Sequence, residues 1–170
     1  MTLHTVIVVS PNPEALERLE SIMTSEGYVV YSVESPDQAL ELLENNSEVH
    51  MIVSDFEQDC GPDGEFIQTV KRTHPEVLSV IVAKENALPA VSDLIAQDQI
   101  YQFILTPWCE ENLLLTVKRG LEYYELTQQN LRLRDAFDKK AKSPGGSVPQ
   151  SNEALPQPDR SSCPVAVVEN

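Results

Sequence analysis

Asp55 is the residue whose type and position best suit chemistry at the end of a strand. It follows the apolar run at 51–54 in the segment MIVSDFE. A carboxylate in such a place can hold a hard cation or pair with an ammonium group. Mg²⁺ usually requires more than one carboxylate, but the first strand, in VIVVSPNP, ends on Ser10 and Pro11. Ser10 offers a neutral oxygen and Pro11 offers neither a side-chain ligand nor an N–H donor, so we expect no Mg²⁺ or other cofactor at Asp55.

Apolar strand-like runs alternate with helical patterns, and this alternation predicts how Asp55 is positioned. Asn12-Pro13 and Ser35-Pro36 are typical of helix starts, and Gly27 is typical of a helix end. The expected strands are 6–9, 28–33, 51–54, 80–83 and 103–105, and the expected helices are roughly 13–26, 36–46, 64–74, 87–98 and 110–137. Five such units with short links predict an α/β fold, a doubly wound five-stranded parallel sheet with an extended C-terminal helix.

Ligands of such sheets bind beyond the carboxyl ends of the strands. The segments that meet there are 10–12, 55–64, 83–86 and 106–109. Lys84 lies in this set, and two arrangements are open for it: its ammonium group reaches Asp55, or it points to solvent. The neighbouring polar residues that could supplement Asp55 are Asn12, better explained as a helix cap, and Glu57, Asp59 and Asp63.

The chain is strongly acidic, with 12 Lys and Arg against 27 Asp and Glu and a formal net charge of -15. This balance argues against nucleic acid or an anionic membrane as the main partner, because both require a basic surface. The sequence has neither an apolar run of membrane-spanning length nor a signal-peptide pattern, so we expect a cytoplasmic protein. The three cysteines form no CxxC and have no metal-ligand spacing with the histidines.

The last predicted helix carries two apolar stripes. The first contains Leu114, Val117, Leu121, Tyr124 and Leu131 with Gln128 interrupting it, and the second contains Leu126, Leu133 and Phe137. Two interpretations are open: the first half is core and the rest a solvated helix, or the helix beyond Glu122 forms the seam of a weak homodimer. We expect a domain over 1–126, a helical extension over 127–142 and a disordered, Pro-rich tail over 143–170.

Two longer stretches point to a known family. The segments SDFEQDCGPDGEFIQTVKRTHPEVLSVIVAKEN and YQFILTPWCEENLLLTVKRGLEYYEL resemble the receiver domain of two-component response regulators. The resemblance runs from about residue 5 to 126 and implies the flavodoxin-like receiver fold of five βα units. It also implies a bacterial protein of phosphorelay signal transduction that is not an enzyme and whose partner is a protein, either a histidine kinase or a downstream effector.

The resemblance assigns positions to the chemistry of that family. Its members use an acidic pair after the first strand, an acceptor Asp after the third, a hydroxyl ending the fourth and a Lys ending the fifth. In this chain the phosphoacceptor position is Asp55, and the acidic pair falls on Ser10 and Pro11. The hydroxyl position falls on Ala83 and the Lys position on Thr106. The chain therefore resembles a degenerate, pseudo-receiver form.

This chain retains more of the residues that the family uses for its contact surface than of those that it uses for phosphotransfer. The switch aromatic of the family falls on Phe103, and Pro107 and Trp108 follow on the face that carries output in the family. Lys84 occupies a position that the family usually keeps small so that phosphate can enter, and a further open role for it is to obstruct that entry. The favoured hypothesis is an atypical receiver domain that acts through protein–protein contacts with little or no phosphorylation chemistry. The alternative is a single-domain response regulator that a histidine kinase phosphorylates on Asp55.

Overall fold

The computed structural model describes residues 3–56 and 64–142. Strands and helices alternate along the chain, as the sequence predicts, and a short 3₁₀ turn at Glu85–Ala87 precedes the fourth helix. The strands are β1 (Thr5–Val9), β2 (Val29–Val33), β3 (Met51–Phe56), β4 (Leu78–Ala83) and β5 (Gln102–Leu105). The helices are α1 (Pro13–Ser25), α2 (Pro36–Asn45), α3 (Glu65–Thr73), α4 (Leu88–Ala96) and α5 (Glu110–Ala141).

The five strands form one parallel sheet in the order β2-β1-β3-β4-β5, so the predicted doubly wound α/β fold is confirmed. β1 pairs with β2 on one side and with β3 on the other, with Val9 opposite Ser54. The strand order therefore reverses between β1 and β3, and such a reversal opens a crevice at the carboxyl ends of the strands. Ser10 and Asp55 lie at these two strand ends.

Helices cover both faces of the sheet, which explains why the strands read as nearly continuous apolar runs. Along β3, Met51 and Val53 join the cluster packed by α1 and α5, whereas Ile52 joins a cluster on the opposite face. The cluster on the α1 and α5 face includes Leu19, Met23, Leu113, Val117 and Leu121, all buried.

The predicted helix boundaries have the predicted chemistry. The Asn12 side chain accepts a hydrogen bond from the Glu14 N–H at 3.0 Å, and Pro13 occupies the first turn. Ser35 caps α2 in the same way, accepting from the Gln38 N–H at 3.4 Å. Gly27 follows α1 with a φ of 86°, a conformation that favours glycine.

Several element ends differ from the sequence prediction by one or more residues, and two of them bear on the Asp55 site and on the last helix. β3 continues to Phe56, so Asp55 lies within the strand rather than after it, because the pairing with β4 extends to Ala83 opposite Phe56. α5 continues to Ala141 rather than ending near 137. The apolar pattern stops at Phe137, but Lys139, Lys140 and Ala141 are good helix formers, and the two lysines suit the negative end of the helix dipole.

Within the described ranges, no helix combines the length and apolarity that crossing a membrane requires. The predicted tail at 143–170 lies outside the described residues. The predicted division at residue 126 stays a prediction, since α5 runs through it without interruption.

Candidate functional site

The central contact at the carboxyl edge of the sheet joins Ser10 and Asp55. The Ser10 hydroxyl lies 3.2 Å from Asp55 Oδ2 and donates a hydrogen bond to it. Ser10 is fully buried and Asp55 is half-buried. A hydrogen bond to an ionised carboxylate is stronger than one between neutral groups. Ser10, at a predicted position of the acidic pair, thus donates from a neutral hydroxyl to Asp55, the predicted phosphoacceptor position.

The backbone holds the Ser10 hydroxyl in place. The Asn12 N–H donates to Ser10 Oγ at 3.2 Å, and the Ser10 N–H donates to the Val33 carbonyl at 3.2 Å. The Asn12 carbonyl lies 3.4 Å from Ser10 Oγ. A hydroxyl has one proton, and the shorter contact to the carboxylate is the better acceptor for it. The turn after β1 therefore aims the hydroxyl at Asp55.

The donor groups described at this edge do not fit Mg²⁺, the cofactor that the family resemblance implies. Ser10 supplies a neutral hydroxyl that donates to Asp55, and Pro11 supplies no side-chain ligand. The Asn12 amide oxygen caps α1, which confirms its predicted role. In residues 3–56 and 64–142, no group of three His, Cys, Asp or Glu side chains could hold a metal ion.

Two further positions of the family chemistry lie at the ends of β4 and β5. Ala83 is fully buried and packs with Ile81 and Val91, so its methyl group is part of the core. The Thr106 N–H donates to the Ala83 carbonyl at 2.8 Å, and the Thr106 hydroxyl lies 3.4 Å from the same oxygen. Thr106 therefore extends the backbone contacts of the sheet, and it brings no ammonium group to Asp55.

Lys84 lies beside this edge and is exposed. It follows the last residue of β4, and the register places Asp55 opposite Val82 and Phe56 opposite Ala83. The chain thus carries Lys84 past the strand end adjacent to that of Asp55. Contact between its ammonium group and the Asp55 carboxylate stays a prediction. The candidate supplementary residues Glu57, Asp59 and Asp63 lie outside the described residues.

Phe103 and Trp108, predicted to share a contact face, pack against different clusters. Phe103 is half-buried against the cluster that includes Ala87 and Val91, next to α4. Trp108 packs against the cluster formed with α1 and α5, and the Arg18 guanidinium lies 4.4 Å from its ring centroid. Pro107 is exposed between them, after a cis Thr106–Pro107 peptide bond. A contact face shared by these three residues stays a prediction, since their buried sides pack against different clusters.

Exposed apolar residues that the sequence analysis did not single out lie on α4, β5 and α5. Ile95, Leu105 and Leu115 are 44%, 37% and 46% exposed. Tyr123 of α5 stacks on Tyr101, with ring centroids 5.6 Å apart. In the sequence, the apolar spacing of these residues does not distinguish them from core residues. They lie near β5, which is at the edge of the sheet, and the sequence alone does not show that this strand is at the edge.

A second polar cluster at the opposite edge of the sheet was also missed. The Thr5 N–H donates to His50 Nδ1 at 3.1 Å, which fixes the neutral tautomer with its proton on Nε2. Burial, followed by the nearby His4, lowers the pKa of His50 below its ordinary value. His4 Nε2 lies 2.9 Å from Glu125 Oε1, and the His50 ring packs edge-to-face on Tyr124. These contacts fasten the middle of α5 to the domain.

Comparisons with known proteins agree with this architecture. No protein-family model matches the chain. The chain is 27% identical over 118 residues to the hydrogenase transcriptional regulatory protein HoxA of Cupriavidus necator, covering 69% of this chain and 24% of that protein. It is 25% identical over 119 residues to the transcriptional regulatory protein GlrR of Escherichia coli, covering 69% of this chain and 26% of GlrR. The chain thus spans about a quarter of the length of these relatives.

Among solved structures, a response regulator receiver domain protein from Clostridium thermocellum superposes with a TM-score of 0.68 at 13% identity. The superposition covers 74% of this chain and 99% of that chain, so the likeness is one of fold and extends over the whole domain. The sheet order and this superposition show that the chain has the flavodoxin-like receiver fold, and over about 120 residues its sequence is similar to parts of transcriptional regulatory proteins.

Proposed function

We propose that this chain is an atypical, pseudo-receiver protein that signals through protein–protein contacts with little or no phosphorylation chemistry at Asp55. The observation that carries the proposal is the hydrogen bond from the buried Ser10 hydroxyl to Asp55 Oδ2. This donor satisfies one carboxylate oxygen without a metal. It occupies a place where phosphotransfer on this fold would require negative charge to hold a divalent cation.

The remaining strand ends support the same proposal. Phosphoryl transfer depends on charged or polar groups that stabilise the phosphoryl oxygens. At Ala83 the side chain is a buried methyl group, and at Thr106 the hydroxyl lies next to a backbone carbonyl. A modification of Asp55 would gain little from either position. A change that interacts equally with two conformations cannot shift their populations.

The proposed partners are proteins, either a histidine kinase or a downstream effector. The accessible apolar side chains of α4, β5 and α5, Ile95, Leu105 and Leu115, are the contact surface that we favour, with Phe103 at its border. We assign no enzymatic activity, cofactor or nucleic-acid partner to the chain. A weak homodimer through the C-terminal helix is a further proposed contact.

The second candidate function is that of a single-domain response regulator phosphorylated on Asp55 by a histidine kinase. The observation that favours it is Asp55 itself, a half-buried carboxylate at the switch point of a receiver fold. A competent site would form a phosphoryl mimic with beryllium fluoride and Mg²⁺. A pseudo-receiver would not, because the mimic requires the same cation.

Amide chemical shifts recorded with and without beryllium fluoride and Mg²⁺ separate the two candidates. We expect no saturable change at β1, β3 or β5 in the wild-type chain. A variant that rebuilds the family positions, Ser10→Asp, Pro11→Asp, Ala83→Thr and Thr106→Lys, is the positive control and should respond. A saturable wild-type response that Asp55→Asn removes would establish the second candidate instead.

A further inference from the structure

The C-terminal half of α5 is a helix without a partner in the described part of the chain. α5 has 32 residues, which corresponds to a length of about 48 Å. Its buried residues end at Leu121, and every residue from Gln129 to Ala141 is exposed. Isolated helical segments of such length are marginal in water, and most helices are stabilised by packing of an apolar face. The exposed half of α5 would therefore gain stability from a packing partner.

The first apolar stripe is not available for such a partner. Val117 and Leu121 are 0% and 2% exposed in the domain core, and Leu114 packs against them. Tyr124 is half-buried against His50. This part of the predicted dimer seam is wrong, because the domain already covers it. Only Leu131 of that stripe is substantially exposed, at 47%.

A different set of residues forms a regular stripe on the side of α5 that faces away from the domain. This free stripe consists of Tyr123, Leu126, Asn130, Leu133 and Phe137, at successive steps of three, four, three and four. Its four apolar members are 53%, 60%, 57% and 70% exposed. At ~100° per residue, the free stripe lies roughly 150° around the helix from the Val117 and Leu121 side. A second helix could run along it without meeting its own domain.

The spacing of the free stripe is that of a coiled-coil seam. Tyr123, Asn130 and Phe137 occupy one type of core position, a, and Leu126 and Leu133 occupy the other, d. In a parallel, in-register pair each Asn130 faces the other Asn130, so the two amides can hydrogen bond. In an antiparallel pair an a residue faces a d residue, so each Asn130 would face a leucine and its amide would be buried unsatisfied. The free stripe therefore selects a parallel partner with an Asn at the same place.

The flanking charges are compatible with two identical helices. In a parallel pair, Glu122 of one copy faces Thr127 of the other, and Gln129 faces Arg134. The third facing pair is Ala136 with Ala141. No like charges oppose each other at these positions. With only two heptads and one polar layer, the pairing is expected to be weak. The fraction of dimer should therefore depend on protein concentration.

We propose that α5 forms a short parallel, in-register coiled coil with α5 of a second copy, using Tyr123, Leu126, Asn130, Leu133 and Phe137 as its seam. The pair places both domains at the same end of the coil. Tyr123, stacked on Tyr101, continues the seam up to the edge of each domain. The inference deepens the homodimer of the proposed function by naming its seam and its orientation. It concerns the helix and not the Asp55 site, so it and the pseudo-receiver proposal can each fail without the other.

Sedimentation velocity of the full chain over a range of concentrations tests the seam. We expect a concentration-dependent dimer that Leu126→Glu with Leu133→Glu weakens at least tenfold. Leu131→Glu is the matched control, because Leu131 is comparably exposed but lies on the other side of the helix. A wild-type chain that stays monomeric at the highest concentrations, or a dimer weakened by Leu131→Glu and not by the seam variant, overturns the proposal.

Disulfide cross-linking tests the orientation. In a background with Cys60, Cys109 and Cys163 replaced by Ser, Asn130→Cys should cross-link under mild oxidation, since the two positions face each other only in a parallel, in-register pair. Leu131→Cys should not. Cross-linking between Tyr123→Cys and Leu133→Cys chains in a mixture, without cross-linking of Asn130→Cys, would show an antiparallel pair, in which a residues face d residues, and overturn the proposal.

Discussion

The buried hydroxyl of Ser10 donates a hydrogen bond to Asp55 Oδ2 across the crevice between β1 and β3, with 3.2 Å between the two oxygens. The contact joins residues 45 positions apart in the sequence, at the point where the strand order of the sheet reverses. A carboxylate at this point can be stabilised by a cation or by hydrogen-bond donors. The described residues supply a hydrogen-bond donor, so the sheet holds Asp55 by means that do not require a metal.

Replacing Ser10 by Ala should lower the free energy of unfolding by about 1–2 kcal/mol, because the Asn12 N–H and one oxygen of Asp55 lose a partner inside the protein. Urea denaturation measures the change. Ser32→Ala is the matched control, since the Ser32 hydroxyl donates to the Glu20 carboxylate at 2.7 Å on the surface. That variant should change stability by less than about 0.5 kcal/mol. Equal effects of the two substitutions would contradict a special role for the buried contact.

Mg²⁺ should not bind at Asp55 in the low-millimolar range, because Ser10 and Pro11 supply no carboxylate. Amide shifts of residues at the ends of β1 and β3 during a Mg²⁺ titration measure this. The double variant Ser10→Asp, Pro11→Asp should gain a saturable response. Its thermal midpoint should fall without Mg²⁺ and recover with it, since like carboxylates in a buried site repel each other.

A saturable low-millimolar response of the wild-type chain that disappears in Asp55→Asn would show that the neutral strand end does bind the cation. A response that persists in Asp55→Asn would place binding elsewhere on this acidic chain. The two results are therefore distinguishable from each other and from the expected absence of binding at Asp55.

The fold could be predicted from the sequence because two independent signals, apolar patterning and residues typical of helix ends, indicate the same elements. Apolar runs mark the strands, and local chemistry marks the helix ends, as at Asn12 and Gly27. The carboxyl ends of parallel strands meet, so Ser10, Asp55, Ala83 and Thr106 could be assigned to one edge before their contacts were known. The direction of the Ser10 hydroxyl could not be assigned, since it depends on the turn at 10–12.

The packing of Trp108 and the accessible side of α5 could not be predicted from periodicity alone. Apolar spacing shows that a helix has a covered side, but it does not show which of two stripes the domain covers. Trp108 follows β5 in the sequence, yet it packs with α1 and α5 beneath the Arg18 guanidinium. Such assignments require the positions of neighbouring elements, which come from contacts distant in the sequence.

Asp55→Asn and Asp55→Glu should leave the affinity for the protein partner within about threefold of wild type, or ~0.65 kcal/mol, because neither change adds or removes contacts that distinguish two conformations. Phe103→Ala should weaken binding more, since it removes a half-buried ring beside α4. Trp108→Ala is expected to do so as well. The measurement is the affinity of each variant for a partner protein that is first recovered by its binding to the wild-type chain.

Trp108 and Phe103 pack against different core clusters, so either substitution can lower the stability of the domain. Unfolding measurements on both variants separate this loss of stability from a loss of contacts with the partner. Leu105→Ser tests the favoured contact surface with little core loss, because Leu105 is 37% exposed on the edge strand, and it should weaken partner binding while changing stability little. Loss of partner binding in Asp55→Asn, with normal binding by Phe103→Ala and Trp108→Ala, would refute the pseudo-receiver proposal and support phosphorylation on Asp55.

His50 should make the protein less stable as the pH falls. Its pKa in the folded protein lies below the ordinary value of 6.5, chiefly because of burial and secondarily because of the nearby His4. Its Nδ1 also accepts the Thr5 N–H, which requires the unprotonated nitrogen. The unfolded chain therefore binds more protons than the folded chain as the pH drops through about 6.5. The stabilising effect of a neutral His50 is fully present above that pH and is lost progressively below it.

His50→Gln should reduce this acid sensitivity, although it also lowers stability at neutral pH by removing the acceptor of the Thr5 N–H. The measurement is the difference in unfolding free energy between about pH 7.5 and pH 5.5, which should be smaller in His50→Gln than in the wild type. His74→Gln is the control, because His74 is only half-buried and its ring nitrogen Nδ1 pairs with the adjacent, exposed Thr73 hydroxyl rather than with a strand. If His74→Gln changes the pH dependence as much as His50→Gln does, the acid sensitivity does not arise at the contact between His50 and β1.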